Sequence, residues 1–332
     1  MRACQALVVA AVMASILVVG SGADLVAQEL QQSVFVSVIR SGEPVTDLTA
    51  DEFVIEEDGR RREVLRVEPA NVPMQVAILV DDSQGFARNL SHVRNGLTAL
   101  INGLPDGQQI ALSTFGEHVT RVVDFTTNKD VLLEAAARYA PFSETSAYLT
   151  NALAQTAADL DRRGAIRPII VLLTAEGANT QMSRVSLGRQ GDTPISPRGG
   201  KGLDYKVVLE VLKETMVAVH SLVVRDVGIP QFATTPDFST ATRGALMQDS
   251  GDRDRASLLQ QLPKVTGGGR QELGITSAVP KLLAQMANEI SNQYLVTYAR
   301  PVGLIPPEEV EVKVTRRRHR VRSTPSRPIM VR

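Results

Sequence analysis

The feature that most constrains the fold is an apolar, branched run that ends in carboxylates. Residues 76–80 read Val-Ala-Ile-Leu-Val and lead directly into Asp81-Asp82-Ser83-Gln84-Gly85. From Phe86 to Leu104, apolar residues then recur every three or four positions, which predicts a helix. Continuous apolar runs are typical of buried parallel strands, and ligands of open α/β sheets bind at the carboxyl ends of such strands. The run therefore predicts a central strand that delivers Asp81 and Ser83 to a site.

Composition excludes several classes of protein. The chain has 332 residues, more than one typical domain, and 43% of them are hydrophobic, enough for a sizeable core. Lys plus Arg equals Asp plus Glu at 36 each, so there is no overall positive field to attract nucleic acid. Trp is absent and aromatic residues make up 4%, which argues against a stacking platform for bases.

Residues 1–27 are predicted to be a signal peptide. Arg2 gives a positive start, residues 6–20 form an apolar run, and Ser21-Gly22-Ala23 offers a small-residue cleavage site, with a second after Ala27. The run is shorter than the ~20 residues of a membrane-spanning helix, although an uncleaved anchor is the alternative. The only cysteine, Cys4, lies in this segment, so the mature chain would have no disulfide. We expect export to a periplasm or to the exterior.

The rest of the chain divides by its hydrophobic rhythm. Residues 28–72 and 292–332 show alternating β patterns, and Asp58-Gly59 is a hairpin signal. Residues 73–291 alternate strands and helices around residues 178–203 and 227–252, which lack periodicity and are predicted to be mobile loops. We expect the two β-rich ends to form one subdomain, because short β segments need three or more strands to be stable.

Local signals fix several element boundaries. A helix is predicted from Asn128 to Tyr139, capped by Thr127 or Asn128. Another is predicted from Ala256 to Val265, where the following glycine triplet indicates a C-cap and turn. Strands are predicted over residues 75–81, 109–115, 118–125, 167–174 and 217–224.

In this order of elements the chain resembles a known family. Residues 73–291 resemble a von Willebrand factor type A (VWA) domain, in which Asp-x-Ser-x-Ser follows the first strand. The chain also resembles the bacterial secreted VWFA-related Acidobacterial-type group. The matching segments are residues 44–49, 51–53, 57–59, 124–126, 266–268 and 293–298. The resemblance implies an α/β fold: a doubly wound, mostly parallel Rossmann-like sheet with helices on both faces, flanked by a small β-subdomain from both termini.

The resemblance also implies a divalent-cation site that is degenerate in this chain. Such a site needs five side chains on three loops, and the aligned positions are Asp81, Ser83, Gly85, Ala147 and Ala175. The last three carry no ligand atom, and Mg²⁺ needs about six oxygens in near-octahedral geometry. We therefore expect a vestigial site and no cofactor. In the alternative, Thr145, Ser146 and Glu176 rescue a Mg or Mn site. Without metal, Asp81 would cap the following helix or accept backbone N–H groups.

The sequence offers no catalytic constellation. None of the four histidines, His92, His118, His220 and His319, has a metal-like or triad-like spacing to another ligand. There is no Gly-Lys-Ser/Thr phosphate loop and no Gly-x-Ser-x-Gly elbow before a helix. We expect the protein not to be an enzyme; a hydrolase built on Ser83 is the alternative.

The leading hypothesis is an exported, non-enzymatic protein-interaction or adhesion module that works without metal. The expected partner-contacting residues are Asp81, Asp82, Ser83, Gln84, Glu144, Thr145, Ser146 and Glu176. One alternative is adhesion through Mg or Mn. Another is a structural envelope component whose basic tail binds an anionic polymer through Arg316, Arg317, Arg318 and Arg320. Those arginines are also explained as charges that prevent edge-to-edge strand pairing. Nucleic acid is not an expected partner, and no membrane span is expected after signal cleavage.

Overall fold

The computed structural model describes residues 29–82, 90–116, 118–141, 148–175, 203–225, 241–301, 305, 307 and 309–326. The predicted signal peptide lies outside these ranges, as do residues 176–202 and 226–240, which hold most of the two predicted loops. No helix within the described ranges is long and apolar enough to cross a membrane.

A six-stranded sheet forms the centre of the described chain. Its strands are β6 (Met74–Asp81), β7 (Gln109–Phe115), β8 (Val119–Thr126), β9 (Arg167–Ala175), β10 (Ala218–Val224) and β11 (Arg270–Leu273). Their order across the sheet is β11-β10-β9-β6-β7-β8. Neighbouring strands run parallel except for the antiparallel pair β7–β8. The carboxyl ends of β6, β7 and β9 therefore share one edge of the sheet.

Helices cover both faces of this sheet. They are α1 (Leu90–Gly103), α2 (Lys129–Arg138), α3 (Leu149–Arg162), α4 (Tyr205–Glu214), α5 (Ala241–Thr266) and α6 (Val279–Ser291). Alternate residues of β6 point to opposite sides: Ile78 and Val80 pack with α1, α2 and α6, whereas Ala77 and Leu79 pack with α3, α4 and α5. Burial on both faces explains why β6 and β9 are continuous apolar runs. The predicted α/β fold is confirmed.

The first and last parts of the described chain pair with each other. One antiparallel sheet contains β1 (Glu29–Arg40), β2 (Glu43–Pro44), β5 (Val64–Pro69), β12 (Tyr294–Pro301) and β14 (Arg320–Pro325). A smaller sheet contains β3 (Phe53–Glu57), β4 (Arg60–Arg62) and β13 (Val310–Val314). Their shared core includes Val36, Ile55 and Val296, all fully buried. Short 3₁₀ turns at Ala50–Glu52 and Thr276–Ala278 complete the described elements.

Arg167, at the start of β9, ties the central sheet to the terminal sheet. Its guanidinium donates to the carbonyl oxygens of Ala70 (3.0 Å) and Ile290 (2.5 Å) and to Gln293 Oε1 (2.6 Å). It also lies 5.1 Å from the ring centroid of Phe35. Burial lowers the pKa of Arg167 to about 10. The Ile290 carbonyl belongs to the last turn of α6, where a cation is favoured by the helix dipole.

Helix ends agree with the sequence signals at two places and differ at one. The Asn128 side chain accepts from the Asp130 N–H at 3.0 Å, so Asn128 rather than Thr127 caps α2. Gly267 takes a φ of +70° and donates to the Pro263 carbonyl at 3.0 Å, which confirms the C-cap of α5. However, α5 starts at Ala241, not Ala256. Residues 241–252, assigned above to a loop, are therefore helical; they lack the apolar stripe from which the prediction was made.

The glycine triplet also has a packing role that the sequence did not reveal. A Cβ atom on Gly268 would lie 2.0 Å from the Val219 carbonyl oxygen in β10. A Cβ atom on Gly267 would lie 1.9 Å from the Ser323 carbonyl oxygen in β14. The residues after α5 thus pack directly against the backbone of both the central and the terminal sheet, so positions 267 and 268 have no room for a side chain.

Candidate functional site

Asp81, the last residue of β6, is fully buried at the carboxyl edge of the central sheet. Its Oδ2 atom accepts from Thr174 Oγ1 at 2.6 Å and from Arg255 Nη2 at 2.7 Å. The Ala175 N–H lies 3.4 Å from the same oxygen. Thr174 and Ala175 end the adjacent strand β9, so parallel pairing brings them beside Asp81. The described partners of this carboxylate are therefore a neighbouring strand and a distant arginine.

Arg255 reaches this point from α5 and is 5% exposed. Its Nε atom donates to the Ala175 carbonyl at 3.2 Å, and Nη2 also contacts Thr174 Oγ1. A buried charge is tolerated when it is paired and hydrogen-bonded, which is the arrangement here. Sequence reasoning missed Arg255. The available signal was the spacing of Leu258, Leu259 and Leu262, which puts Arg255 at position i of an i, i+3, i+4, i+7 face.

These residues do not fit a divalent cation. Mg²⁺ binds carboxylate oxygens at about 2.0–2.1 Å, and it would have to approach an oxygen that already accepts from a guanidinium at 2.7 Å. The guanidinium adds a positive charge that repels the ion. The Ala175 side chain supplies no ligand atom, and no group of three or more His, Cys, Asp or Glu that could hold a metal is found among the described residues.

Several residues of the predicted site lie outside the described ranges. They are Ser83, Gln84, Gly85, Glu144, Thr145, Ser146, Ala147 and Glu176. Of the predicted partner-contacting residues, the structure therefore places Asp81 and Asp82. It does not place the three residues proposed to rescue a cation site.

Asp82 is half-buried and continues the same edge. Its N–H donates to the Phe115 carbonyl at the end of β7, at 2.9 Å. Nearby, the Tyr139 hydroxyl donates to the Asp81 carbonyl at 2.7 Å. Burial, together with the Asp81 and Asp82 carboxylates, raises the pKa of Tyr139, so the phenol remains a donor. This contact links the end of α2 to the end of β6.

Beside Asp82, a cavity of about 430 Å³ opens between α2 and the β7–β8 hairpin. It is lined by aliphatic side chains with a few polar groups among them. The lining residues are Asp82, Leu112, Thr114, Val122, Val123, Val131, Glu134, Ala135, Arg138, Tyr139 and Ala140. It borders the edge of the sheet at which ligands of α/β folds bind.

The histidines and the basic tail take other roles. His220 is buried in β10, accepts from the Gly269 N–H at 3.2 Å through Nδ1, and has its pKa lowered to about 4 by burial. The Nδ1 atom of His319 lies 3.0 Å from the Arg316 carbonyl oxygen.

In the basic tail, Arg316 donates to Glu52 at 2.8 and 2.9 Å and to Asp47 at 2.8 Å. The hydrogen bonds from Arg316 to Glu52 lower the pKa of Glu52. Arg317, Arg318 and Arg320 are exposed.

One known protein family matches part of the chain. Residues 76–177 match the family described as von Willebrand factor type A domain. A search of curated proteins returned no match.

Solved structures similar to the chain include one mussel protein and two Bacteroides proteins. Proximal thread matrix protein 1 from the mussel byssus is 12% identical, with a TM-score of 0.43, and the match covers 75% of this chain and 51% of that one. BatB from Bacteroides thetaiotaomicron is 16% identical, with a TM-score of 0.38, covering 66% of this chain and 100% of its own. An aerotolerance-related membrane protein from Bacteroides fragilis is 14% identical, with a TM-score of 0.38, covering 65% and 99%.

The chain spans about half the length of the mussel protein that it matches. The region matched to the family begins within β6, which carries Asp81, and extends just past the end of β9, which carries Thr174 and Ala175. Residues 76–177, less than a third of the chain, are therefore similar to a von Willebrand factor type A domain.

Proposed function

We propose that this protein is an exported, non-enzymatic interaction module of the VWA type that recognises a protein partner without a divalent cation. The observation that carries this proposal is the buried ion pair between Asp81 and Arg255. The Asp81 carboxylate, which would hold a divalent cation, is instead paired with the Arg255 side chain of the same molecule. Residues 1–27, with the composition of a signal peptide, support export.

Asp81 and Asp82 differ in their exposure. Arg255 neutralises Asp81 inside the protein, at 5% and 0% side-chain exposure. Asp82, the next residue, is only half-buried and borders the cavity. A partner would therefore meet Asp82 and the loops that follow the strands, not the buried carboxylate. Loops on a rigid scaffold commonly carry binding in this way.

Thermal unfolding with and without metal tests the proposal. We expect millimolar Mg²⁺ or Mn²⁺ to leave the melting temperature unchanged, because a ligand raises it only by binding the native state. A rise that EDTA reverses and that Asp81→Asn removes would overturn metal independence. Asp81→Asn preserves the side-chain shape and can still accept from Thr174, but it leaves the buried Arg255 without its counter-charge, so its melting temperature is compared with and without metal and not with that of the parent protein.

The interaction surface needs its own test. Protein captured by the immobilised mature chain from an envelope extract should be retained in EDTA and reduced by Asp82→Arg. Arginine substitutions at Gln84, Glu144 and Ser146 extend the test across the proposed face. If every captured protein remains bound to all four variants, the proposed face is wrong.

The basic tail supports a second candidate, an envelope component that binds an anionic polymer. Arg316 is held by Glu52 and Asp47, whereas Arg317 and Arg318 are exposed on the turn between β13 and β14, and Arg320 is exposed at the start of β14. Binding to polyphosphate should weaken as salt rises. It should fall when Arg317, Arg318 and Arg320 are changed to Gln, but not when the exposed Arg162 and Arg138 are. Equal loss in both sets would reject the tail as a polymer site.

A further inference from the structure

We infer that two copies of the chain form a symmetric dimer, in which β13 (Val310–Val314) of one copy pairs antiparallel with β13 of the other. β13 is an end strand of the smaller sheet, and β3 is its partner there. A strand at the edge of a sheet presents a row of unpaired backbone groups that another strand can bind. The contact does not depend on the proposed function, because it uses none of the residues that surround Asp81.

The backbone of β13 faces two ways. At its two ends, the Asp58 N–H donates to the Glu309 carbonyl at 3.1 Å, and the Thr315 N–H donates to the Glu52 carbonyl at 2.9 Å. In an antiparallel ladder, hydrogen-bonded residue pairs alternate with pairs whose N–H and C=O groups point away from each other. Every second residue between Glu309 and Thr315 therefore turns its backbone groups away from β3. These residues are Val310, Val312 and Val314.

The outward groups of these three valines have no hydrogen-bond partner within the described chain. Several other sheet edges are protected. β5 ends at Pro69, which has no N–H group, and the Ser323 carbonyl of β14 packs against Gly267. β8 has a register shift in its pairing with β7, and β4 consists of arginines, which would repel a second copy. β11, at the end of the central sheet, has four residues against the five of β13.

The sequence of β13, Val-Glu-Val-Lys-Val, selects a second copy as its partner. With a two-fold axis at Val312, Val310 lies opposite Val314 of the second copy, and Glu311 lies opposite its Lys313. Unlike charges directly opposite each other stabilise an antiparallel pair, and like charges destabilise it. A pairing shifted by two residues would place Glu311 opposite Glu311, or Lys313 opposite Lys313. The charges therefore favour one register.

The ion pairs already present in one copy are compatible with this contact. Lys313 Nζ lies 2.9 Å from Glu56 and 3.1 Å from Glu311, and the Lys313 and Glu311 side chains are 50% and 56% exposed. In the dimer, the signs of the charges at positions 311 and 313 alternate both along each strand and across the two strands. Exposed ion pairs contribute little stability, so their role here is to set the register, while the backbone supplies the hydrogen bonds.

The inner face of β13 also favours pairing. Val312 is 7% exposed and belongs to the core between the two terminal sheets. Val310 and Val314 pack against the same core but are only half-buried, because they lie at the edge of the sheet. In the dimer each of them meets the other valine of the second copy, so both lose apolar surface to the contact.

Sedimentation velocity of the mature chain tests the dimer. The parent chain should sediment as a mixture of monomer and dimer, with a dimer fraction that rises with concentration. Glu311→Lys and Lys313→Glu each place like charges opposite each other at both symmetric positions. Each variant should therefore dimerise at least about tenfold more weakly than the parent. An equimolar mixture of the two variants restores unlike charges at both positions and should form a heterodimer.

The mixture separates recognition from folding, because a variant that failed to fold would not regain a dimer on mixing. A parent chain that remains monomeric at about 1 mM would reject the dimer. So would single variants that dimerise as well as the parent, or a mixture that stays monomeric. Glu272→Lys, on the edge strand β11, is the matched control and should dimerise like the parent. Loss of the dimer in this variant alone would place the contact at β11 and overturn the inference.

Disulfide cross-linking tests the register. Cys4 lies in the predicted signal peptide, so the mature chain carries no other cysteine. Opposed residues that are not hydrogen-bonded to each other have Cα atoms ~4.5 Å apart, within the range of a disulfide. A mixture of Glu311→Cys and Lys313→Cys should therefore form a mixed disulfide faster than either variant forms its own. Equal rates, or faster self-linking of Glu311→Cys, would reject pairing about Val312.

Discussion

Arg255 Nη2 lies 2.7 Å from Asp81 Oδ2, across a sequence separation of 174 residues. The pair fixes α5 against the carboxyl ends of β6 and β9, since Arg255 also donates to the Ala175 carbonyl. The buried Arg255 guanidinium therefore lies beside Asp81, the only carboxylate that the described residues contribute to the expected cation site.

Arg255→Met should destabilise the protein by about 3–5 kcal/mol, because it leaves the buried Asp81 carboxylate without its counter-charge. Urea unfolding followed by circular dichroism gives the free energy of unfolding. The double variant Asp81→Asn/Arg255→Met removes both charges and should lose at least about 1 kcal/mol less than the single variant, since replacing a whole buried pair is often nearly neutral. A single variant as stable as the parent protein would show that the ion pair is not formed.

His220 should make the protein less stable in mild acid. Its folded pKa is lowered to about 4, below an unfolded value of about 6.5, so the unfolded state binds the proton more tightly. The contribution of neutral His220 is complete above pH 6.5 and is lost as pH falls towards 4, with an upper limit of about 3 kcal/mol.

His220→Asn isolates this effect, because the Asn side-chain oxygen can still accept from the Gly269 N–H. The difference in unfolding free energy between the parent and this variant should change between pH 6.5 and 4, and the variant should show the flatter curve. The remaining titratable groups are the same in both proteins, so their contributions to the pH dependence cancel in the difference. A difference independent of pH would show that His220 is not buried as a neutral ring.

Gly268→Ala should be among the most costly single changes in the chain. Its Cβ atom would lie 2.0 Å from the Val219 carbonyl oxygen, and backbone cannot rotate away as a side chain can. We expect a loss of about 3 kcal/mol, the upper range for overpacking. Gly164→Ala is the matched control: Gly164 has a φ of +65° but nothing within 4 Å of an added Cβ. Its cost should be about 1–2 kcal/mol. Equal losses would mean that the end of α5 can move away from β10.

Arg167→Met should loosen the junction between the two sheets. It keeps an apolar stem but leaves the Ala70 and Ile290 carbonyls and the Gln293 side chain without their donor. A loss of at least about 3 kcal/mol is expected, since each buried unpaired acceptor costs about 1–3 kcal/mol. Hydrogen exchange should show faster exchange across β12, while Arg162→Met, an exposed change, should stay within about 0.5 kcal/mol. A cooperative loss of similar size without faster exchange in β12 would place the role of Arg167 elsewhere.

Much of the fold could be predicted from the sequence because its elements follow simple periodicities. The apolar run before Asp81 is the strand β6, one residue longer at its start than predicted. The predicted strand over 167–174 is β9, which ends at Ala175. Asn128 caps the start of α2 with its side chain, and the glycine triplet follows the last turn of α5. In each case the signal lies within a few neighbouring residues.

The site was harder to predict because its key contact is not local. Asp81 and Arg255 are brought together by the packing of α5 on the sheet; the spacing of Leu258, Leu259 and Leu262 places Arg255 on the packed face of the helix but does not show which group it meets. The position of Asp81 at a strand end could be read from its neighbours. The identity of its counter-ion could not, since arginines occur throughout the chain and only tertiary structure selects one. Gly268 was likewise interpreted as a turn residue, although its neighbour across space forbids any side chain.

The pairing of β1 with β12 and β14 has a consequence for how the chain folds. Val34 lies opposite both Val296 and Pro325, so the terminal sheet cannot close until nearly the whole described chain has emerged. Strand contacts between such distant residues are slow to form, because a long loop must be closed first. The alternating strands and helices between them can begin to assemble earlier. While the chain is being made, β1 would therefore remain unpaired, exposing Val36 and Val38, and the chain would be most prone to aggregation just before β14 is complete.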